Sequence, residues 1–535
     1  MAEKYFAQPS SAPGQSHFAK APSAEIQRST FDRSHGHKTT FNAGLLYPIY
    51  VDEVLPGDSF KLNSTAFTRL STPLKPIMDN MVVDTHYFFV PYRLVWDNSE
   101  AFFSGKQTTA AVAPGDDTVY SVPQTAIQAD AQGEFALSRY MGIPLTTATI
   151  TKSVSALPFR AYGLIWNEWY RDQNLQEPGI VDTNDGPDSY NNQTVLQRNK
   201  RHDYFTSALP WPQKGDPVVI PLGDAAPIYS KSVAPTWRQV SGGTTQRNLW
   251  TESGTNNVAI DGPQPSGGPI MFGTETGLFT DLTAATATSI NDLRTAFQIQ
   301  RLLERDARGG TRYVESILSH FGVTSDDARL NRPEYLGGGS NAININPIAS
   351  TAALEVAPQA TLAATGTAVG KAGFNKSFTE HGIIIGLISV RADLTYQNGL
   401  ERFWSRQTRY DFYWPALAHL GEQEIKTQEI YLAGNQNTNK ATWGYQERYA
   451  EYRYKPSRIS GKFQSNDAAS LDVWHLAQAF TVVPELNASF IKENPPIERI
   501  VAVTSEPHFL CDIWFSLKCS RPMPVYSVPG LIDHF

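Results

Sequence analysis

HGIIIGLISVRADLTYQNGLERFWSRQTRYDFYWP, residues 381–415, decides the reading of the fold. Its first part is an apolar run, Ile383 to Ile385, Leu387, Ile388 and Val390, broken only by Gly386 and Ser389. A short run without alternation fits a strand buried on both faces. Its second part mixes arginines with rings: Arg402, Phe403, Trp404, Arg406, Arg409, Tyr410, Phe412, Tyr413 and Trp414. A core strand thus leads directly into a cationic, ring-rich surface.

The surrounding composition agrees with a β-rich chain. Only 18% of the 535 residues are charged, below the usual quarter, while 11% are aromatic and Gly and Pro number 38 and 35. That balance favours an all-β, loop-heavy chain. A formal net charge of −7 excludes a generally polycationic nucleic-acid binder. Any nucleic acid must be met by local patches or through a second, basic protein. Cys511 and Cys519 make no disulfide framework and no common zinc spacing, so they read as buried thiols in a reducing compartment. The first residues lack the apolar core of a signal peptide, and no run reaches membrane-spanning length. These features predict a soluble chain made in the cytoplasm, without membrane insertion.

Taken in order, residues 1–40 read as an extended arm, slightly basic through Arg28, Arg33 and Lys38. The pair His35 and His37 lacks a third metal ligand nearby. Strand patterns begin at Phe41, turn at Pro56-Gly57, and resume at Phe60; Thr85 to Val90 reads as a second doubly buried strand. Asp52 and Glu53 point to opposite faces and read as a solvated loop rather than a catalytic pair. Ala161, Tyr162, Ile165, Trp166 and Trp169 predict an amphipathic helix after Pro158.

Residues 211–287 are poor in charge and rich in Gly, Thr, Ser and Asn. They are too long for an ordinary connection and read as a surface insertion. Trp237, Trp250, Phe272 and Phe279 argue against a disordered linker there. Ser289 caps a helix that Gly309-Gly310 stops, and a second helix runs from Tyr313 to His320. Residues 337–373 read as low-complexity loop. Tyr445 to Lys455 alternates tyrosines with charges of both signs, fitting either nucleic acid or a subunit boundary. Phe515 to Lys518 reads as a short strand before an extended, proline-rich tail. The organisation expected is an arm over 1–40, a first β part over 41–210, the insertion over 211–287, and helices, remaining strands and tail over 288–535.

No phosphate loop, metalloprotease helix or Gly-x-Ser-x-Gly elbow occurs, and Asn184 to Asp188 lacks the rest of a cation loop. The sequence therefore predicts no catalytic, cofactor or metal site.

Several motifs together resemble a known family. Phe31 to His35, Tyr50 to Asp58, Phe88 to Pro91 with Trp96-Asp97-Asn98, Arg332 to Gly338, residues 381–421, Gly444 to Lys455 and Arg521 to Phe535 are similar to gokushovirus major capsid proteins. Gokushoviruses are small icosahedral single-stranded DNA phages of the microvirus family. The likeness spans nearly the whole chain apart from about 211–287 and the low-complexity part of 340–373. It implies an eight-stranded viral jelly-roll β-barrel with long loop insertions and a few short helices. It implies one copy per asymmetric unit of the simplest icosahedral shell, around a circular DNA genome, in a virion assembled in the bacterial cytoplasm. It further implies an internal scaffolding protein, a DNA pilot protein and a small basic DNA-packaging protein as partners. The insertion would form a threefold protrusion that meets a host surface receptor.

Genome contact in such a shell needs arginines for phosphate and rings for bases. The candidates are Arg28, Arg33, Lys38, Arg402, Arg406 and Arg409. The same arginines could bridge subunits. Trp237, Trp250 and Phe272 are the host-contact candidates. A phage spike or glycan-binding β-protein is the alternative reading, and a carbohydrate-active β-sandwich enzyme a further rival.

Overall fold

The structure is a computed structural model. It describes residues 26–104, 120–128, 132–189, 193–218, six short strands between 228 and 280, 290–349, 351 and 360–526. The chain divides into two compact units, one of residues 1–212 and 309–535 and one of 213–308.

The first unit is built on antiparallel sheets. Its two main sheets are made of β1 (Ser29–Asp32), β2 (His35–Phe41), β3 (Tyr47–Val54), β4 (Ser59–Leu70) and β5 (Met81–Pro91), then β6 (Glu334–Ala342), β7 (Asn344–Ala349), β8 (Leu362–Ser377), β9 (Gly382–Ala392) and β10 (Phe509–Arg521). One sheet runs β2–β10–β4–β8–β7, with β1 continuing the β2 edge along β10. The other runs β6–β5–β9–β3.

Side-chain alternation sets which face of the first sheet is covered. In β4 and β10 every second residue is buried, among them Phe60, Leu62, Phe515 and Leu517. Rings of this sheet meet the second one: Phe515 of β10 lies 5.3 Å from Tyr50, and Phe374 of β8 lies 5.5 Å from Tyr87. The Tyr87 hydroxyl donates to Ser64 Oγ at 2.7 Å, so this polar end is satisfied within the core.

The second sheet explains the unbroken apolar runs. β5 and β9 pair directly, with Phe89 opposite Ile384 and Phe88 opposite Ile385. One face looks into the core; the other is covered by helix α1 (Leu157–Ile165), which packs on both strands. Strands buried on both sides need apolar residues at every position. The run from Ile383 to Val390 is the centre of that sheet, as its sequence predicts.

Helix α1 is held by a buried ion pair. Arg160 donates two hydrogen bonds to the Asp188 carboxylate, at 2.6 and 2.5 Å, and two more to the carbonyls of Val95 and Asn184 at 2.8 Å. Neither side chain is exposed by more than 1%. Asp185 accepts from the Trp96 indole. The acidic Asn184–Asp188 loop is thus a clamp for a helix.

Some expectations change. The described residues within 337–373 include most of β6, all of β7 and most of β8, where a loop is expected from the sequence; 350 and 352–359 lie outside the described residues. Gly337, Gly338 and Gly339 sit where β6 passes close to its neighbours. A Cβ on Gly338 would stand 2.4 Å from the Thr85 carbonyl oxygen, and one on Gly339 2.5 Å from that of Lys371. Glycine there marks close backbone approach, which composition alone cannot tell from a hinge. Residues 29–32 and 35–40 of the expected arm belong to strands laid against β10, while 1–25 lie outside the described residues. Asp52 and Glu53 belong to β3 and accept from Arg33 and Tyr92. The short strand at Phe515–Lys518 is the middle of the 13-residue β10.

In the second unit, short antiparallel strands fill the described part of the insertion. Thr236–Gln239 pairs with both Arg247–Thr251 and Ile270–Phe272. Helix α2 (Ile290–Gly309) belongs to this unit up to residue 308. Its predicted cap, Ser289, lies outside the described residues. In the first unit, helix α3 (Tyr313–Phe321) stops at Gly322, whose φ of 69° is left-handed.

Candidate assembly surface

The ring-rich half of residues 381–415 folds into short 3-10 turns, Arg402–Ser405, Arg409–Asp411 and Pro415–Leu417. Asp411 fixes the middle one. Its carboxylate accepts from the amides of Gln407 and Thr408, at 2.9 and 2.7 Å, and those bonds hold its pKa below the usual range. The Trp414 indole donates to the Arg409 carbonyl at 2.9 Å, and the Arg409 guanidinium lies 4.5 Å over the Trp414 ring.

The two inner arginines turn away from solvent. Arg402 pairs with Glu429 at 3.0 Å and Arg406 with Glu451 at 3.3 Å; Glu451 also lies 3.8 Å from Arg402. Burial pushes the Glu429 carboxyl up, while Arg402 pulls it back. Tyr204 donates to that carboxylate at 2.9 Å. Arg406 also lies 4.4 Å over the Tyr452 ring. A cavity of about 110 Å³ lies beside this network, lined by Tyr204, Phe403, Tyr454 and Lys455 among others.

With the arginines drawn inward, the rings remain outside. Trp404 is 66% exposed, Tyr410 68% and Phe412 51%, and Phe403, Tyr413 and Tyr452 are exposed beside them. The segment therefore presents a ring-covered surface in which Arg402 and Arg406 are neutralised from within, while Arg409 stays exposed against the Trp414 ring. Such patches mark association sites.

The arm candidates are spread along the sheet edge: Arg28 precedes β1, Arg33 links β1 to β2, and Lys38 lies in β2. Arg28 donates to the Gly57 carbonyl and to Ser59 Oγ. Arg33 makes a two-pronged contact with Asp52, at 2.6 and 3.0 Å. Lys38 stands 3.6 Å from Asp512, both largely exposed. The structure brings Arg402 and Arg406 together on Glu451 and keeps the arm residues on other elements. Sequence reasoning missed Glu429 and Glu451, the counter-charges. Glu451 stands within the alternating Tyr445–Lys455 run, and that mixed sign was its signal. The run itself is strand only to Glu447; Tyr449 then adopts a left-handed φ of 61° and opens a helical turn, Ala450–Arg453.

In the second unit, Trp237 and Phe272 stand opposite each other in register, and Trp250 lies opposite Ala259. Helix α2 shows solvent a stripe of Ile290, Phe297 and Leu302, each more than half exposed. Among the described residues, no helix is long and apolar enough to cross a membrane.

Comparison with known proteins agrees with the resemblance. The chain matches the family model described as capsid protein (F protein) over residues 19–531. It is 46% identical to a capsid protein VP1 of Bdellovibrio phage phiMH2K, covering 97% of this chain and 98% of that one. It is 42% identical to the capsid protein VP1 of Chlamydia phage 1, over 96% and 97% of the two chains. Against the capsid protein VP1 of Spiroplasma virus 4 the identity is 36%, over 95% and 96%. The chain belongs to the F-protein family of phage capsid proteins, as a major capsid protein of the microvirus type.

Proposed function

We propose that the chain self-assembles into the simplest icosahedral shell around a circular single-stranded DNA genome, using the 402–414 ring surface as a subunit contact. The observation that carries the contact is the pairing of Arg402 and Arg406 with Glu429 and Glu451 beneath exposed rings. Cations already satisfied by carboxylates have little left for phosphate, whereas desolvating exposed rings favours association. A closed shell repeats one such contact under symmetry.

The body is an eight-stranded jelly roll. The orders β2–β10–β4–β8 and β3–β9–β5–β6 support this, being two interleaved four-strand sheets of Greek-key connectivity. An internal scaffolding protein, a DNA pilot protein and a small basic packaging protein are its partners, the last neutralising a genome that a chain of −7 cannot. The protein acts in the virion, formed in the host cytoplasm, and performs no catalysis.

The insertion is the host-contact element, a protrusion at the threefold axes carrying Trp237, Trp250 and Phe272. Its separation as a compact unit supports that role. Purified product viewed by electron microscopy is expected as uniform shells; a monomer or trimer by size exclusion would favour a spike instead. Deleting about 225–280 is expected to leave shells intact and abolish adsorption. Loss of shells on that deletion would overturn the host-facing assignment.

A further inference from the structure

The sheet β2–β10–β4–β8 has a second face that the core does not use. Alternation turns Phe60, Leu62, Phe515 and Leu517 inward, so Lys61, Arg69, Trp514 and Lys518 must point outward. Register then places these residues together. Lys518 stands directly opposite Lys61, Trp514 opposite Thr65, and Thr65 opposite Lys371. On the adjoining strand, Lys38 stands opposite Asp512.

Two features of this face call for a polyanion. Lys61 and Lys518 form a like-charge pair across neighbouring strands, which is destabilising with nothing to neutralise it; Asp32, opposite Lys518 on β1, offsets part of that charge. Among the described residues of these strands, five outward cations face only Asp32 and Asp512, on a chain whose total charge is −7. The second feature is ring surface between the charges. Trp514 is 56% exposed, and Arg69 lies 4.9 Å over the half-buried Phe67 ring. At one end the face opens into a cleft of about 630 Å³ that adds Arg139 to Lys38 and Arg69. Cations that track a backbone, interleaved with rings that stack on any base, are the recognition chemistry of single strands. A neighbouring copy of this acidic chain would have to bring a concentrated acidic patch to fit the same face.

We infer that the open face of β2–β10–β4–β8 is the bed for the packaged single-stranded DNA. Lys61, Lys371, Lys518 and Arg69 take phosphates there, and Trp514 with Phe67 takes bases. This rests on the reading that the shell encloses such DNA. It moves genome contact from the paired Arg402 and Arg406 to residues that sequence reasoning passed over.

The test begins with filled particles, irradiated with ultraviolet light and digested, with DNA-linked peptides identified by mass spectrometry. Adducts are expected within 60–69 and 509–521. Particles that hold DNA but give adducts only elsewhere overturn the inference while leaving enclosure standing; particles that hold no DNA overturn both. The second arm measures binding of the full chain to a thymidine oligonucleotide for Lys61→Ala/Lys371→Ala/Lys518→Ala. Affinity is expected to fall at least tenfold, and the slope of log affinity against log salt to shrink by about 2, from about 0.7 per phosphate contact. Unchanged affinity and slope overturn the inference. Trp514→Leu is expected to weaken binding without changing the slope, and an unchanged affinity for it removes the stacking role.

Discussion

Replacing Glu451 with Gln tests whether the 402–414 surface is an assembly contact. The glutamine keeps the shape of the side chain and removes its charge. In the native protein Glu451 accepts from Arg406 at 3.3 Å and from Gln423 at 2.5 Å, and lies 3.8 Å from Arg402. The Arg406 and Glu451 side chains are only 10% and 11% exposed, so solvent screens the pair weakly. A charge-assisted hydrogen bond of this kind contributes about 1.5–3 kcal/mol. Losing it raises the open population of the segment roughly 10- to 150-fold at about 1.4 kcal/mol per decade. The segment is not a strand of either main sheet, so far-ultraviolet circular dichroism is expected to stay unchanged. Trypsin reads the opening directly, since Arg402, Arg406 and Arg409 are its cleavage sites. Cleavage there is expected to quicken about tenfold or more under the same estimate. Sedimentation is expected to show shells forming only at higher subunit concentration. Faster cleavage with unchanged assembly would refute the contact, and an unchanged cleavage rate would refute the clamp itself.

Three further outcomes follow from packing and charge. Ile384→Ala, at the centre of β9, is expected to lose about 2–5 kcal/mol, checked by denaturant unfolding of the dissociated subunit. Asp188→Asn leaves the fully buried Arg160 without its counter-charge and is expected to lose about 3–5 kcal/mol; a loss below about 1 kcal/mol would mean that water reaches the pair. Burial holds His37, His86 and His508 below the ordinary histidine pKa. The unfolded chain therefore binds more protons than the folded one below about pH 6.5, and stability falls with pH from there until the folded histidines also titrate. Thermal unfolding across pH 7.5 to 5 is expected to show that fall, and His86→Asn to flatten it.

Much of the fold was legible because burial on two faces leaves an unmistakable signature. The runs Ile383–Val390 and Thr85–Val90 could be read as core strands, and they prove to be paired neighbours. Helix α1 was legible from the helical spacing of Ala161, Tyr162 and Ile165, a pattern that runs on into Trp166 and Trp169 beyond its end. What hid β6 and β8 was glycine and alanine, chosen for backbone approach and not for side-chain packing. The same chemistry elsewhere makes a loop, so composition misled. Site residues were harder. Arg402 and Arg406 announced themselves by type, but their carboxylate partners lie about 25 to 50 positions away in sequence and only the fold brings them in. Lys61, Lys371 and Lys518 are single residues in three distant strands. Register turns them into a patch, and no local window of sequence contains it.

The place of β10 has a consequence for synthesis. It lies between β2 and β4, and Leu517 pairs with Leu62, more than four hundred residues earlier. Until the ribosome has made that final strand, β4 presents one open edge and the apolar faces of Phe60 and Leu62. Closing so long a loop is slow, which lengthens the exposure. A prematurely terminated chain would thus be both unable to finish its sheet and prone to pair with another copy through that edge.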